Sequence, residues 1–280
     1  FGKQGEEKPG ILLSNDEKID VSSFVSDYDE EFFDSGGLVN LKDWLNENES
    51  SAPRLDDSIR LGSPIARPSK IICIGLNFKD HAAESGFDAP EEPLIFGKAT
   101  SAICGPYDNI IIPRGSEQTD WEVELGVVIG KKTSYVDQDQ ALDHVGGYVL
   151  HNDVSERAFQ KDRGGQWIKG KSADTFAPMG PFMATPDEID NISDMRMWLN
   201  VNGENMQDGN TSNLIFSVDH VVSYLSQFMT LLPGDVISTG TPAGVGMGMN
   251  PEKYLKPGDV VELGIDGLGS SKQNVVAYEE

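Results

Sequence analysis

The stretch Thr119-Asp-Trp-Glu-Val-Glu-Leu-Gly-Val-Val-Ile-Gly130 decides the fold. Trp121, Val123, Leu125, Val127 and Ile129 recur at every second position, the period of a β-strand with one apolar side. A strand over residues 122–129 is therefore expected. Glu122 and Glu124 leave its other face, about 7 Å apart along it. Two like charges so placed repel unless solvent or a cation compensates them, and a divalent metal is the compact way to do so. The alternative is that one glutamate pairs with Lys131 or Arg114 and the other stays in water. Spacing alone leaves both readings open.

Outward from this strand, 30 glycines and 15 prolines in 280 residues imply many tight turns and short strands. Further strands are predicted over 71–74, 94–96, 110–112, 145–150, 195–201, 236–238 and 260–263, with Asn202-Gly203 as a hairpin turn. One clear helix is predicted between Asp219 and Leu232, where Val221, Val222, Leu225, Phe228, Met229 and Leu232 share a face. Strands do not alternate regularly with helices, so the expected class is α+β and β-rich, not a doubly wound sheet. Residues 1–67 read as a small N-terminal α+β domain plus a Pro-punctuated linker, and 68–280 as the main domain.

A net charge of −24 argues against nucleic acid and anionic membrane as partners, because both need a positive footprint. It reads as a solvated surface. No apolar run approaches a membrane span and no signal peptide is visible, although the chain does not begin with Met. Cys73 and Cys104, each in an apolar stretch, read as buried free thiols, and a cytoplasmic location is expected.

Several polar groups lie where they can do chemistry. Asp153, just past the strand 145–150, can complete a three-carboxylate site with Glu122 and Glu124; all-oxygen ligation selects a hard cation, Mg²⁺ first, then Mn²⁺ or Ca²⁺. In Asn77-Phe-Lys-Asp-His81-Ala-Ala-Glu84, a helical turn puts His81 and Glu84 on one face, either as a water-activating dyad or as an ordinary ion pair. Arg157 and Gln160 share a helical face beyond Asp153 and, with Lys171, offer donors to an anionic ligand. The stretch 162–167 has the composition of a lid or of a plain surface loop. The glycine cluster 240–248 lacks nucleotide-loop spacing and reads as a tight loop presenting Thr241. His144, His151 and His220 read as structural.

Taken jointly, the chain resembles the fumarylacetoacetate hydrolase family over about residues 68–276. The resemblance rests on Ile-Gly-Leu-Asn77-Phe-Lys-Asp-His81, Trp-Glu122-Val-Glu124-Leu-Gly, Asn-Asp153-Val-Ser-Glu-Arg157-Ala-Phe-Gln160, Gly-Lys171-Ser and Ser-Thr-Gly-Thr241-Pro-Ala-Gly. In detail it looks most like the branch containing 2,4-diketo-3-deoxy-L-fuconate hydrolases, often labelled ureidoglycolate lyases. The resemblance implies a mixed β-roll with a small N-terminal domain, a homodimer or dimer of dimers, and a divalent metal on Glu122, Glu124 and Asp153. It also implies water activation by His81 with Glu84, substrate or oxyanion contacts from Lys171, Arg157 and Gln160, and ligand contacts from Thr241 and Asn77. An extra upstream aspartate that ligates metal in some larger relatives has no counterpart here. The implied reaction is hydrolysis of a carbon–carbon bond in a 2,4-diketo acid to pyruvate and a second acid, L-lactate for the fuconate-derived substrate. Oxaloacetate decarboxylation and isomerisation of an unsaturated keto acid are alternatives on the same constellation. A non-catalytic, metal-dependent sugar-acid binder is the alternative from another class.

Overall fold

The alternating stretch becomes the strand Val123–Ile129, every residue of which is buried. The computed structural model describes residues 1–84 and 89–279. In chain order, β1 (Gly10–Leu12), β2 (Lys18–Asp20), α1 (Glu30–Asp34) and α2 (Gly37–Asn48) are followed by an irregular arm. Next come β3 (Ile71–Gly75), α3 (Lys79–Glu84), β4 (Leu94–Lys98), β5 (Ile103–Cys104), β6 (Ile110–Ile112), β7 (Thr119–Asp120) and β8 (Val123–Ile129). These lead to β9 (Val145–Asn152), β10 (Ser155–Glu156), α4 (Arg157–Lys161), α5 (Ile168–Lys171) and β11 (Ala177–Ala184). The last elements are β12 (Arg196–Val201), β13 (Glu204–Asn210), α6 (Val218–Ser226), β14 (Val236–Ser238), β15 (Val260–Ile265) and β16 (Gly269–Ala277).

The fold is α+β and β-rich, built on two mixed sheets. One has the order β4-β3-β14-β8-β9-β11-β5 and the other β13-β12-β15-β16-β6. β8 lies in the middle of the first, antiparallel to both β14 and β9. Val123, Leu125 and Val127 share one core with Leu199, Val261 and Leu263 of the second sheet. Gly126 is required by closeness, since a Cβ there would lie 2.6 Å from Val149 Cγ1. The hairpin at Asn202-Gly203 has φ of 53° and 79°, the left-handed pair that favours these residues.

Ile19, Val21, Phe32 and Phe33 of the N-terminal segment belong to the same continuous core as the main sheets. Arg60, on the irregular arm, holds Asp108 through Nε at 2.8 Å and Nη2 at 2.6 Å, and so fastens the arm to the main body. The helix expected to run to Leu232 stops at Ser226. Leu231 instead exchanges backbone hydrogen bonds of 2.9 Å with Thr133, which turns the chain away and leaves Phe228 63% exposed. Cys73 and Cys104 are buried and free. Among the described residues no helix is long and apolar enough to cross a membrane.

Candidate active site

A kink shared by two neighbouring strands gathers the acids. β7 pairs with β10 and β8 with β9, so the two segments run together and bend together between Asp120 and Val123 on one side and Asn152 and Ser155 on the other. At the bend the amide of Asp153 donates to the carbonyl of Glu122 at 2.9 Å, which brings their side chains to the same place. Carboxylate oxygens of Glu122, Glu124 and Asp153 all lie within 4.8 Å of one another, and all three residues are buried.

Three buried cations face them. Lys171, on the short α5, donates to Glu122 Oε2 at 2.6 Å and to Asp153 Oδ2 at 2.8 Å. Lys98, from the end of β4, donates to Asp153 Oδ1 and, at 3.1 Å, to the carbonyl of Val154. Arg157 Nη2 lies 2.7 Å from Glu122 Oε1 and 2.8 Å from Asp120 Oδ2, while its Nε donates to Asp120 at 2.8 Å. Burial opposes ionisation of Asp153 and Glu122, yet Lys171, with Lys98 for the first and Arg157 for the second, holds both below the usual carboxylate range. Glu124 goes the other way. Burial first, then repulsion from Asp153 and Glu122, pushes its carboxyl well up. Its partners are neutral: the Ser238 hydroxyl at 2.5 Å and the Gly240 amide at 2.8 Å.

Lys98 was not singled out by the sequence, because its partner is 55 residues away and a lysine at a strand end ordinarily faces water. Its side chain is fully buried. Lys98→Met strips one cation from a buried pair and leaves the Val154 carbonyl unpaired, so a stability loss of about 3 kcal/mol is expected in urea titrations. An unchanged unfolding midpoint contradicts that role.

The glycine loop uses its amides on carboxylates. Gly240 N–H serves Glu124, Gly244 N–H lies 3.1 Å from both oxygens of Glu84, and the amides of Gly246 and Met247 donate to Asp120 at 2.7 and 3.1 Å. One loop thus anchors an acid of the triad, the dyad acid and the aspartate that steadies Arg157. α3 places His81 Nδ1 3.5 Å from Glu84 Oε2, an ionic contact slightly longer than a hydrogen bond. Burial pushes the Glu84 carboxyl up, but His81 and the Gly244 amide outweigh it and hold it below its ordinary value.

The structure brings Glu122, Glu124, Asp153, Lys171 and Arg157 together, and His81 and Glu84 beside one another. It corrects the ion-pair alternative: the cations on Glu122 are Lys171 and Arg157, and neither glutamate is solvated. Three residues expected to contact ligand also bond to protein. Asn77 spends both amide hydrogens on the carbonyls of Phe216, at 3.0 Å, and Thr239, at 2.8 Å, and accepts from the Phe216 amide, so it braces the loops around β3. Thr241 donates to the Val123 carbonyl at 2.9 Å and accepts from Gln207 at 2.8 Å, so its hydroxyl faces protein. Gln160 accepts from Arg157 Nη1 at 3.2 Å and steadies the guanidinium. Trp167, at the end of the expected lid, packs edge-on against Phe96 with ring centroids 5.2 Å apart.

The donor set fits a hard dication. It is all carboxylate oxygen, it is buried, and one member, Glu124, has no lysine or arginine in ion-pair reach among the described residues. With Glu124 protonated, Asp120, Glu122 and Asp153 balance Lys98, Arg157 and Lys171; ionising Glu124 leaves one excess negative charge, which a dication would compensate. His151, opposite Glu124 in register, adds an unpaired polar atom: Nδ1 faces the Pro178 carbonyl at 3.2 Å while buried Nε2 has no partner among the described residues. Burial pushes its pKa down to about 4, so it offers a neutral acceptor.

With this geometry in hand, comparisons with known proteins are specific. The family model described as Fumarylacetoacetate (FAA) hydrolase C-terminal matches residues 70–276. A Burkholderia ambifaria protein named provisionally as a hydrolase is 50% identical over 275 residues, spanning 98% of this chain and 96% of that protein. The crystal structure of 2-hydroxyhepta-2,4-diene-1,7-dioate isomerase from Mycobacterium marinum is 36% identical with a TM-score of 0.69, covering 82% of this chain and 84% of that one. Maleylpyruvate hydrolase from Sphingobium sp. SYK-6, solved in complex with manganese(II) and pyruvate, is 27% identical with a TM-score of 0.80 over 96% of each chain.

Proposed function

Because this chain belongs to the fumarylacetoacetate hydrolase family, we propose that it is a divalent-cation-dependent enzyme that hydrolyses a carbon–carbon bond in a 2,4-diketo acid and releases pyruvate. The specific substrate proposed is 2,4-diketo-3-deoxy-L-fuconate, giving pyruvate and L-lactate. The observation that carries this reading is the buried triad Glu122, Glu124 and Asp153, whose carboxylate oxygens lie within 4.8 Å of one another, with one glycine loop bonded both to Glu124 and to Glu84 of the histidine–carboxylate pair. The manganese and pyruvate held by the maleylpyruvate hydrolase support it.

A bound dication would supply the positive charge that holds the substrate's carboxylate and 2-keto oxygens and steadies the charge developing as the bond breaks. Glu122, Glu124 and Asp153 would hold it. His81, with Nδ1 turned toward Glu84, keeps Nε2 for the proton of a water directed at C4. Glu84, ionised and fixed by the Gly244 amide, orients the ring and stabilises it once protonated. Lys171 stays protonated because Asp153 and Glu122 outweigh its burial, and it supplies charge for the C4 oxyanion. Arg157, steadied by Asp120 and Gln160, keeps Glu122 in place. When the C3–C4 bond breaks, C4 departs as the second acid. C3 takes up the proton held by His81 and becomes the methyl of pyruvate.

Isomerisation of an unsaturated keto acid is the second reading, favoured by the likeness to the Mycobacterium marinum isomerase. Product analysis of a diketo-acid panel with Mg²⁺ separates the readings. Pyruvate plus a second acid is expected, lost with chelator and restored by Mg²⁺. An isomer of unchanged mass, carbon dioxide from oxaloacetate, or saturable binding without turnover would each overturn the hydrolase reading.

A further inference from the structure

The backbone of Val123, the residue between the two glutamates, is held by a closed ring of side-chain hydrogen bonds. β14 pairs with β8 only as far as Ser238 opposite Gly126, and the Thr239 amide adds one more bond to the Leu125 carbonyl at 3.1 Å. The chain then leaves, because Gly240 turns its amide to Glu124. Among the described residues no strand pairs with Val123 on that side. Two side chains take the vacant ladder positions. Gln207 Oε1, from β13 of the opposite sheet, accepts from the Val123 amide at 3.0 Å, and Thr241 Oγ1 donates to the Val123 carbonyl at 2.9 Å. Gln207 Nε2 donates to Thr241 Oγ1 at 2.8 Å and closes the ring, with a second bond to the Pro242 carbonyl at 2.8 Å.

All three residues are buried, so each of these groups carries a desolvation penalty that its ring partner offsets. Two glycines make the approach possible. A Cβ on Gly244, which has φ of +103°, would lie 1.9 Å from the Met206 carbonyl oxygen, and one on Gly209 would lie 2.5 Å from Pro242 Cβ. The loop therefore rests directly on β13, where Gln207 can reach it.

We infer that Gln207 and Thr241 form a clamp on Val123 that sets the separation and direction of Glu122 and Glu124, and that both are positioning residues for a divalent cation. This rests on the reading that those glutamates, with Asp153, hold such an ion. Groups that orient ligands in this way typically change metal affinity about 10- to 100-fold when removed.

The test is titration calorimetry with Mg²⁺ alone on the full chain, with folding checked by thermal melts without metal. Thr241→Val and Gln207→Met should each weaken Mg²⁺ at least about tenfold, and Thr241→Ser, which keeps the hydroxyl, should stay within about threefold of wild type. The double variant should lose little more than either single one, because both open the same ring. If Gln207→Met fails to fold, the Thr241→Val and Thr241→Ser pair decides the question, because it changes a side chain of nearly constant volume. Mg²⁺ affinity in Thr241→Val within about twofold of wild type, with only KM raised, overturns the clamp and returns Thr241 to a ligand contact. If wild type itself takes up no Mg²⁺, the cation-site reading falls instead, and the clamp with it.

Discussion

Glu124→Gln should abolish Mg²⁺ uptake and lower turnover at least about ten-thousandfold, while the metal-free protein keeps its thermal midpoint. The argument rests on what surrounds this side chain. Glu122 and Asp153 each have two protein cations, but among the described residues Glu124 has only the Ser238 hydroxyl and the Gly240 amide. Burial and its two acidic neighbours already press its carboxyl toward the neutral form, and an amide of the same shape can accept from the same donors. The substitution therefore removes little from the apo fold. It does remove the one carboxyl in the cluster free to ionise against a dication. Calorimetry with Mg²⁺ and turnover at saturating metal are the measurements, and normal uptake by the variant contradicts the ligand assignment.

His81→Ala is expected to lower kcat by about a hundredfold or more and to leave Mg²⁺ affinity within about twofold, as for loss of a positioned general base. The imidazole touches Glu84, which the Gly244 amide holds independently of it. Removing the ring leaves Glu84 in place and opens a small cavity at the end of α3, so the loss should fall on proton transfer rather than on the metal. Unchanged turnover in the purified variant refutes the role. A loss of turnover that tracks a loss of Mg²⁺ affinity instead assigns His81 to the integrity of the cluster.

Much of this was legible in the sequence for physical reasons. Strict alternation around Glu122 and Glu124 leaves no other secondary structure, and acids inside an apolar strand require compensation wherever they lie. Three-residue spacing fixed His81 beside Glu84 and Arg157 beside Gln160 once each lay on a helical turn. β11 and β16 carried weaker signals. Pro178 and Pro181 interrupt the first, which bulges between Met179 and Met183, and the second begins with the polar run Gly269 to Asn274. The end of α6 was misjudged because the apolar period continues through Phe228 and Met229, although a bridge to Thr133 draws the chain off.

The compensating residues were the illegible part. Lys98, Asp120 and Gln207 are ordinary letters in sequence and become part of the site only through the pairing of distant strands. Thr241 and Asn77 show the converse. Their positions beside glycine and strand ends suit ligand contact, and their bonds to backbone groups left by a departing strand could not be read from the sequence.

The most direct test of the central claim is an anomalous difference map from crystals grown with Mn²⁺. The account predicts one strong peak bonded to carboxylate oxygens of Glu122, Glu124 and Asp153, with Glu124 drawn into the ligand shell. It is contradicted if no peak lies between the three acids, or if Lys171 alone still bridges Glu122 and Asp153 while the manganese sits elsewhere.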